Sequence, residues 1–145
     1  ANCPGKVSDP QNGVDSTSGV WESFVGVAGR LAAGYTKMKL VAVTPEVNIT
    51  SSQKASCLNG RSASDPWAPL HVPVLQFTDS AGARVTPVAG TPTAADGSLP
   101  FLSYQNYVRI PLNATSLYRR YADANHSDNS GICHFELEYY PECAQ

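Results

Sequence analysis

Cys133-His134-Phe135-Glu136-Leu137-Glu138-Tyr139-Tyr140 is the stretch on which the fold turns. Cys133, Phe135, Leu137 and Tyr139 alternate with His134, Glu136, Glu138 and Tyr140. Side chains switch face at every residue of a strand, so this segment has one apolar and one polar face. That is the signature of an antiparallel strand packed on one side and solvated on the other.

Working back along the chain, weaker copies of the pattern recur. Residues 106–112 read as a strand with Val108, Ile110 and Leu112 inward. Residues 70–78 read as another, with Leu75 and Phe77 on one face, and Pro73 marking an edge or a bulge. The turn Asp79-Ser80-Ala81-Gly82 leads from it into 83–88, the clearest hairpin of the sequence. Met38, Leu40 and Ala42 alternate within 35–43. Residues 114–121 suit either a helical turn or a strand. For 20–33, Trp21, Phe24 and Ala28 sit at helical spacing, but Gly26, Gly29 and Gly34 weaken a helix, and a bent strand is expected. Long loops rich in proline and glycine separate these segments. Together they predict a single all-β domain over 1–145: an antiparallel, immunoglobulin-like β-sandwich of six to eight strands.

Charged residues make up 15% of the chain, against ~25% in an average soluble domain, and the net charge is −2. Lys37 with Lys39 and Arg119-Arg120 are isolated basic pairs rather than a stripe, which speaks against nucleic-acid binding. No apolar run approaches the ~20 residues that span a bilayer, so membrane insertion is not expected. The opening Ala1-Asn2-Cys3 reads as the start of a mature chain whose leader has been removed.

The four cysteines, Cys3, Cys57, Cys133 and Cys143, are widely spaced and form no C-x-x-C pair. They predict two disulfides and an oxidising, extracellular or cell-surface setting. Pairing Cys133 with Cys143 is disfavoured. The strand carries Cys133 ~20 Å from its far end, and the residues after Tyr140 return only ~10–13 Å. Two connectivities remain open: Cys3–Cys133 with Cys57–Cys143, or Cys3–Cys143 with Cys57–Cys133.

The sequence has no G-x-S-x-G elbow, H-E-x-x-H pair or phosphate-binding loop, and no enzymatic activity is expected. Two sets of residues could hold a ligand instead. His134 and Glu136 share one strand face, and His126 and Asp128 lie in the loop before them, a donor set that suits zinc. Apart from that ion no cofactor is expected, and the favoured reading of the set is solvated polar residues on an open sheet face. Trp67 beside Asp65, in a loop with Pro66 and Pro69, offers an indole face and a carboxylate to a sugar. Tyr104, Tyr107, Tyr118 and Tyr121 could add exposed aromatics or equally be sheet-surface or core residues, and Trp67 could fold back on the core. Three sequons begin at Asn48, Asn113 and Asn125.

The second half resembles the immunoglobulin-like subunits of bacterial chaperone–usher fimbriae. The resemblance lies in the strand 74–78 running into Asp79-Ser80-Ala81-Gly82, in Ile110-Pro111-Leu112-Asn113-Ala114, and in Phe135-Glu136-Leu137-Glu138-Tyr139. It covers about 70 residues, and residues 1–35 do not follow it. A cysteine beyond the last strand fits the receptor-binding domain of a tip adhesin better than a shaft subunit. The resemblance implies adhesion to an extracellular glycan or glycoprotein, with other pilus subunits as further partners. The alternatives are a structural fimbrial subunit and a small secreted effector or hydrolase.

Overall fold

The computed structural model describes residues 3–60 and 70–143. Along the chain it contains β1 (Val7–Pro10), β2 (Val14–Asp15), β3 (Glu22–Ser23), α1 (Val27–Ala32), β4 (Tyr35–Ala42), β5 (Glu46–Asn48) and β6 (Lys54–Ser56). There follow β7 (Val72–Thr78), β8 (Leu99–Pro100), a 3-10 turn (Phe101–Tyr104), β9 (Val108–Arg109), β10 (Ser116–Ala122), β11 (Ile132–Cys133) and β12 (Phe135–Pro141).

Two four-stranded antiparallel sheets, β1-β12-β4-β9 and β3-β10-β7-β8, form the expected all-β sandwich. The strand order refines its immunoglobulin-like reading. If the eight strands of the large sheets are numbered along the chain, the sheets run 1-8-3-6 and 2-7-4-5. In an immunoglobulin sandwich the last strand joins the sheet opposite the first. Here β12 lies between β1 and β4, the order of a jelly roll.

The C-terminal alternation carries through into the structure. Phe135, Leu137 and Tyr139 are buried, while Glu136, Glu138 and Tyr140 are only partly covered. Their inward face meets Met38 and Leu40 of β4, and from the opposite sheet Leu75, Phe77, Leu117 and Tyr121, in one continuous core. Each such aliphatic or aromatic side chain contributes roughly 1.5–3 kcal/mol on burial. Strand β7 is buried on both faces, because Val72 and Val74 form a second small cluster with Ala122 beneath Trp21. Pro73 has a strand neighbour on one side only, since β8 pairs with Val74 and Leu75 alone, so the edge reading holds locally.

Three local expectations are overturned, and one basic residue takes a buried place. Residues 27–32 form the short helix α1 instead of strand; Gly26 at φ 90° and Gly34 at φ 96° frame it rather than break it. Residues 83–88 do not pair as a strand: a single bridge between Thr78 and Arg84 closes the turn. Leu112, expected inward, is 88% exposed because β9 ends at Arg109. Arg119, one of the isolated basic pair, is buried. Its Nε donates to the Gly13 carbonyl at 2.8 Å and its Nη1 to that of Ser23 at 2.5 Å, with the guanidinium over Phe24. It thus ties β10 to the neighbouring edge, and burial pulls its pKa down.

The disulfides are Cys3–Cys143 and Cys57–Cys133, one of the two connectivities left open. The first follows from the topology, since pairing of β1 with β12 brings the two ends of the chain together. The second is buried and joins the turn after β6 to β11. Two disulfides fit an oxidising compartment. Among the described residues no helix is long and apolar enough to cross a membrane.

Candidate functional site

At the end of the sandwich where β7 begins and β10 ends lies an open hollow of about 260 Å³. Three chain segments wall it: the turn between β5 and β6, the two residues before β7, and the loop after β10. Each is held locally. In the β5–β6 turn, Ile49 N–H donates to the Gln53 carbonyl at 3.0 Å, and the Thr50 hydroxyl accepts the amides of Ser52 and Gln53. This spends the hydroxyl oxygen of Thr50 and leaves its proton to give. The hairpin itself is pinned by the backbone bridge between Asn48 and Ser130 and by Cys57–Cys133.

The loop after β10 is built on side-chain turns. Asp123 accepts the amide of Asn125 at 3.2 Å, and Asn125 accepts the amide and the hydroxyl of Ser127 at 3.1 and 2.7 Å. Such turns are what short polar side chains offer in place of a ladder. Behind the wall, the buried Asn129 donates to the other Asp123 oxygen at 2.8 Å and to the Ser16 carbonyl at 2.7 Å. The Asp123 side chain is only 5% exposed, and the His71 Nε2 lies 3.4 Å from its Oδ1. His71 has φ 59°, and it alone among the described non-glycine residues takes a positive φ. Such a backbone costs of order 1 kcal/mol or more and persists where the surroundings impose it. Here the amide of His71 is fastened to the Ala122 carbonyl at 2.6 Å.

The hollow therefore presents Thr50, Gln53, His71, Asp123, Asn125 and Asp128 as polar groups. Ile49, Leu70 and Ala124 supply an apolar part of the lining. Asp128 is exposed and makes no hydrogen bond among the described residues, nor does the side-chain amide of Gln53. The size is just below the ~300–1,000 Å³ of pockets for drug-sized ligands, room for something as small as a sugar ring.

A larger hollow, about 430 Å³, lies between the end of β1 and α1. Its polar groups are already used. Arg30 clasps Asp9 through two bonds of 2.9 and 2.6 Å, which holds the Asp9 carboxyl below its usual range. The Gln11 amide donates to the Val25 carbonyl at 3.1 Å and accepts its N–H at 3.3 Å.

Most of the residues singled out from sequence lie elsewhere. Asp65 and Trp67 lie outside the described residues. Tyr104 is fully buried, which corrects its reading as an exposed aromatic: the 3-10 turn swings its ring inward, edge-on to Phe77 at 6.0 Å. Tyr107 is half-buried on the outer side of the first sheet, stacked on Tyr140 at 4.7 Å. His134 is exposed just before β12 and Glu136 half-buried within it. His126 is turned away from both. Its Nε2 lies 2.8 Å from the Tyr121 carbonyl, with the ring packed against Gly19. Among the described residues, no group of three or more His, Cys, Asp or Glu side chains gathers around a common point where a metal could bind.

Of the residues that line the hollow, Thr50 and Asn125 were visible only as parts of sequons, and Asp128 only as a loop member of the candidate metal set. His71 and Asp123 carried no local signal, because they meet through the pairing of β7 with β10. No protein-family model matches the chain, and no curated protein or solved structure matches it either. The fold defines a jelly-roll sandwich, and sandwiches of that order host many functions, so the site must carry the argument.

Proposed function

We propose that the chain is an extracellular binding domain of adhesin type that holds a glycan, free or on a glycoprotein, in the hollow between the β5–β6 turn and the loop after β10. The observation that carries this reading is the set of unspent hydrogen-bonding groups there. Gln53 and Asp128 have no side-chain partner among the described residues, and Thr50 has a proton to give. Beside them Ile49, Leu70 and Ala124 offer apolar surface. A sugar needs this combination: acceptors and donors for its hydroxyls, and a dry patch for its C–H face. The two disulfides suit a domain that works outside the cell.

The reading is one of binding and not of catalysis. No serine or cysteine lines the hollow among the described residues, and the imidazole of His71 is turned to Asp123. The test is an array of glycans probed with the wild-type domain, Gln53→Ala and Asp128→Ala. Wild type binds a subset of glycans, and each variant loses about tenfold or more in affinity, with an unchanged melting temperature. Each loss corresponds to one or two charge-assisted or neutral hydrogen bonds. Absence of binding to any glycan, or binding that both variants leave intact, overturns the reading. Assembly of the purified domain into polymers would favour a structural fimbrial subunit instead.

A further inference from the structure

The charges around the hollow bear on which sugars enter it, and this step rests on the reading just given. Asp123 and Asp128 both line the hollow, and no Lys or Arg does so among the described residues. The two carboxylates differ in what they can still do. Asp123 is nearly covered, and its oxygens already accept from Asn125 and Asn129, with His71 alongside. Its charge is felt through the wall, but it has little capacity left for a ligand. Asp128 is exposed and unpaired among the described residues and lines the hollow, so its carboxylate is uncommitted there. His71 also lines the hollow, with its Nε2 turned to Asp123, and the other polar groups, Thr50, Gln53 and Asn125, are neutral and do not discriminate by charge.

We infer that the hollow selects sugars by charge: it takes those carrying a free ammonium group ahead of neutral ones and rejects carboxylated or sulfated ones, with Asp128 setting the preference. A carboxylate and an ammonium ~4 Å apart at a wet surface attract by an amount equal to about a fivefold change in affinity. The same interaction with reversed sign acts against an anionic sugar. Both weaken as salt shortens the screening length from ~10 Å at 0.1 M to ~3 Å at 1 M. Rejection by an unfavourable charge is a specificity device that needs no extra contact with the preferred ligand.

The experiment uses oligomers of glucosamine and of galactosamine, each as free amine and as the N-acetylated form of the same skeleton, with sialylated and sulfated oligosaccharides as the anionic set. Affinities are measured by calorimetry at low and at tenfold higher NaCl for wild type, Asp128→Asn and Gln53→Ala. The free amine is expected to bind about fivefold tighter than its acetylated twin at low salt, and the gap shrinks at high salt. Asp128→Asn closes the gap and admits the anionic set, with its melting temperature unchanged. Gln53→Ala weakens all sugars alike and keeps the gap. Equal affinity of wild type for the amine and the acetylated form, or a gap that survives Asp128→Asn, overturns the charge selection while leaving the glycan reading intact. If no oligomer binds at all, or Gln53→Ala weakens none of them, the glycan reading falls and takes the selection with it.

Discussion

Two hollows of this domain differ in a way that their sizes do not announce. The one beside α1 is the larger, about 430 Å³ against about 260 Å³. Yet its polar atoms are bonded to each other: Arg30 to Asp9, and Gln11 to both backbone groups of Val25. A ligand entering there would have to break bonds before making any. At the end of the sandwich the side chains of Gln53 and Asp128 have no partner among the described residues, and the groups that hold the wall, Asn129 and Ser127, lie behind or beside it. One hollow is a seam where a short helix is fastened to an edge strand; the other is a rim with unsatisfied chemistry. What separates a site from a seam is the hydrogen-bonding capacity left over after folding, and volume is a poor guide to it.

The strongest way to break the comparison is to remove what holds the rim. Cys57–Cys133 anchors the hairpin that carries Thr50 and Gln53, while Cys3–Cys143 joins the chain ends. By loop entropy the terminal bridge, spanning 140 residues, and the inner one, spanning 76, differ little, about 5 and about 4.5 kcal/mol. The inner sulfurs are buried, so their loss also leaves a void in the core. Cys57→Ala with Cys133→Ala is therefore expected to lower stability by more than Cys3→Ala with Cys143→Ala, despite the shorter loop. It should also abolish ligand binding, which the terminal pair retains. Denaturant melts and calorimetry on the two double variants check both halves; equal losses of binding would mean that the rim is not held by the hairpin.

A smaller effect sharpens the other side of the contrast. Arg30→Ala cuts the clasp beside α1 and leaves Asp9 without its partner. The expected result is a fall of a few degrees in melting temperature with glycan affinity unchanged. The pocket variants Gln53→Ala and Asp128→Asn show the reverse: unchanged melting and altered affinity. If Arg30→Ala weakened ligand binding as much as Gln53→Ala does, the larger hollow would have to be counted as part of the site.

How much of this was legible beforehand depends on the range over which each feature is decided. The alternation in 135–139 fixes a strand locally, and its apolar face of Phe135, Leu137 and Tyr139 survives intact into the core. The order of the strands is not local. Whether β12 lies beside β1 and β4 or in the opposite sheet depends on how the whole chain closes, and the same alternation serves an immunoglobulin sandwich and a jelly roll equally. For Tyr104 the sequence suited an exposed and a core position alike, and a single 3-10 turn is what rotates it inward. The burial of Arg119 was not legible either: in sequence it is one of an isolated basic pair, and only the fold brings two backbone carbonyls and the Phe24 ring together as a buried place for it. His71 and Asp123 are joined only by the register of β7 against β10, so no window of sequence contains the site they support.

The smallest expected effect concerns acid. Arg30 holds the Asp9 carboxyl below its ordinary range, Lys6 does the same for Glu138, and Arg109 with Thr36 brings Glu142 down to about 2. All three belong to, or adjoin, the first sheet, and the end hollow plays no part in them. A carboxyl with a depressed pKa binds fewer protons folded than unfolded, so its stabilisation is complete above the unfolded value of about 4 and is lost as pH falls toward the folded one. The melting temperature should accordingly hold from neutral pH to just above about 4 and then decline toward about 2. Asp9→Asn removes one of these contributions: it starts from a lower plateau and declines less steeply over the same interval. A decline that Asp9→Asn leaves as steep as wild type would mean that the clasp beside α1 contributes nothing to the folded state, and the larger hollow would lose its standing as a seam.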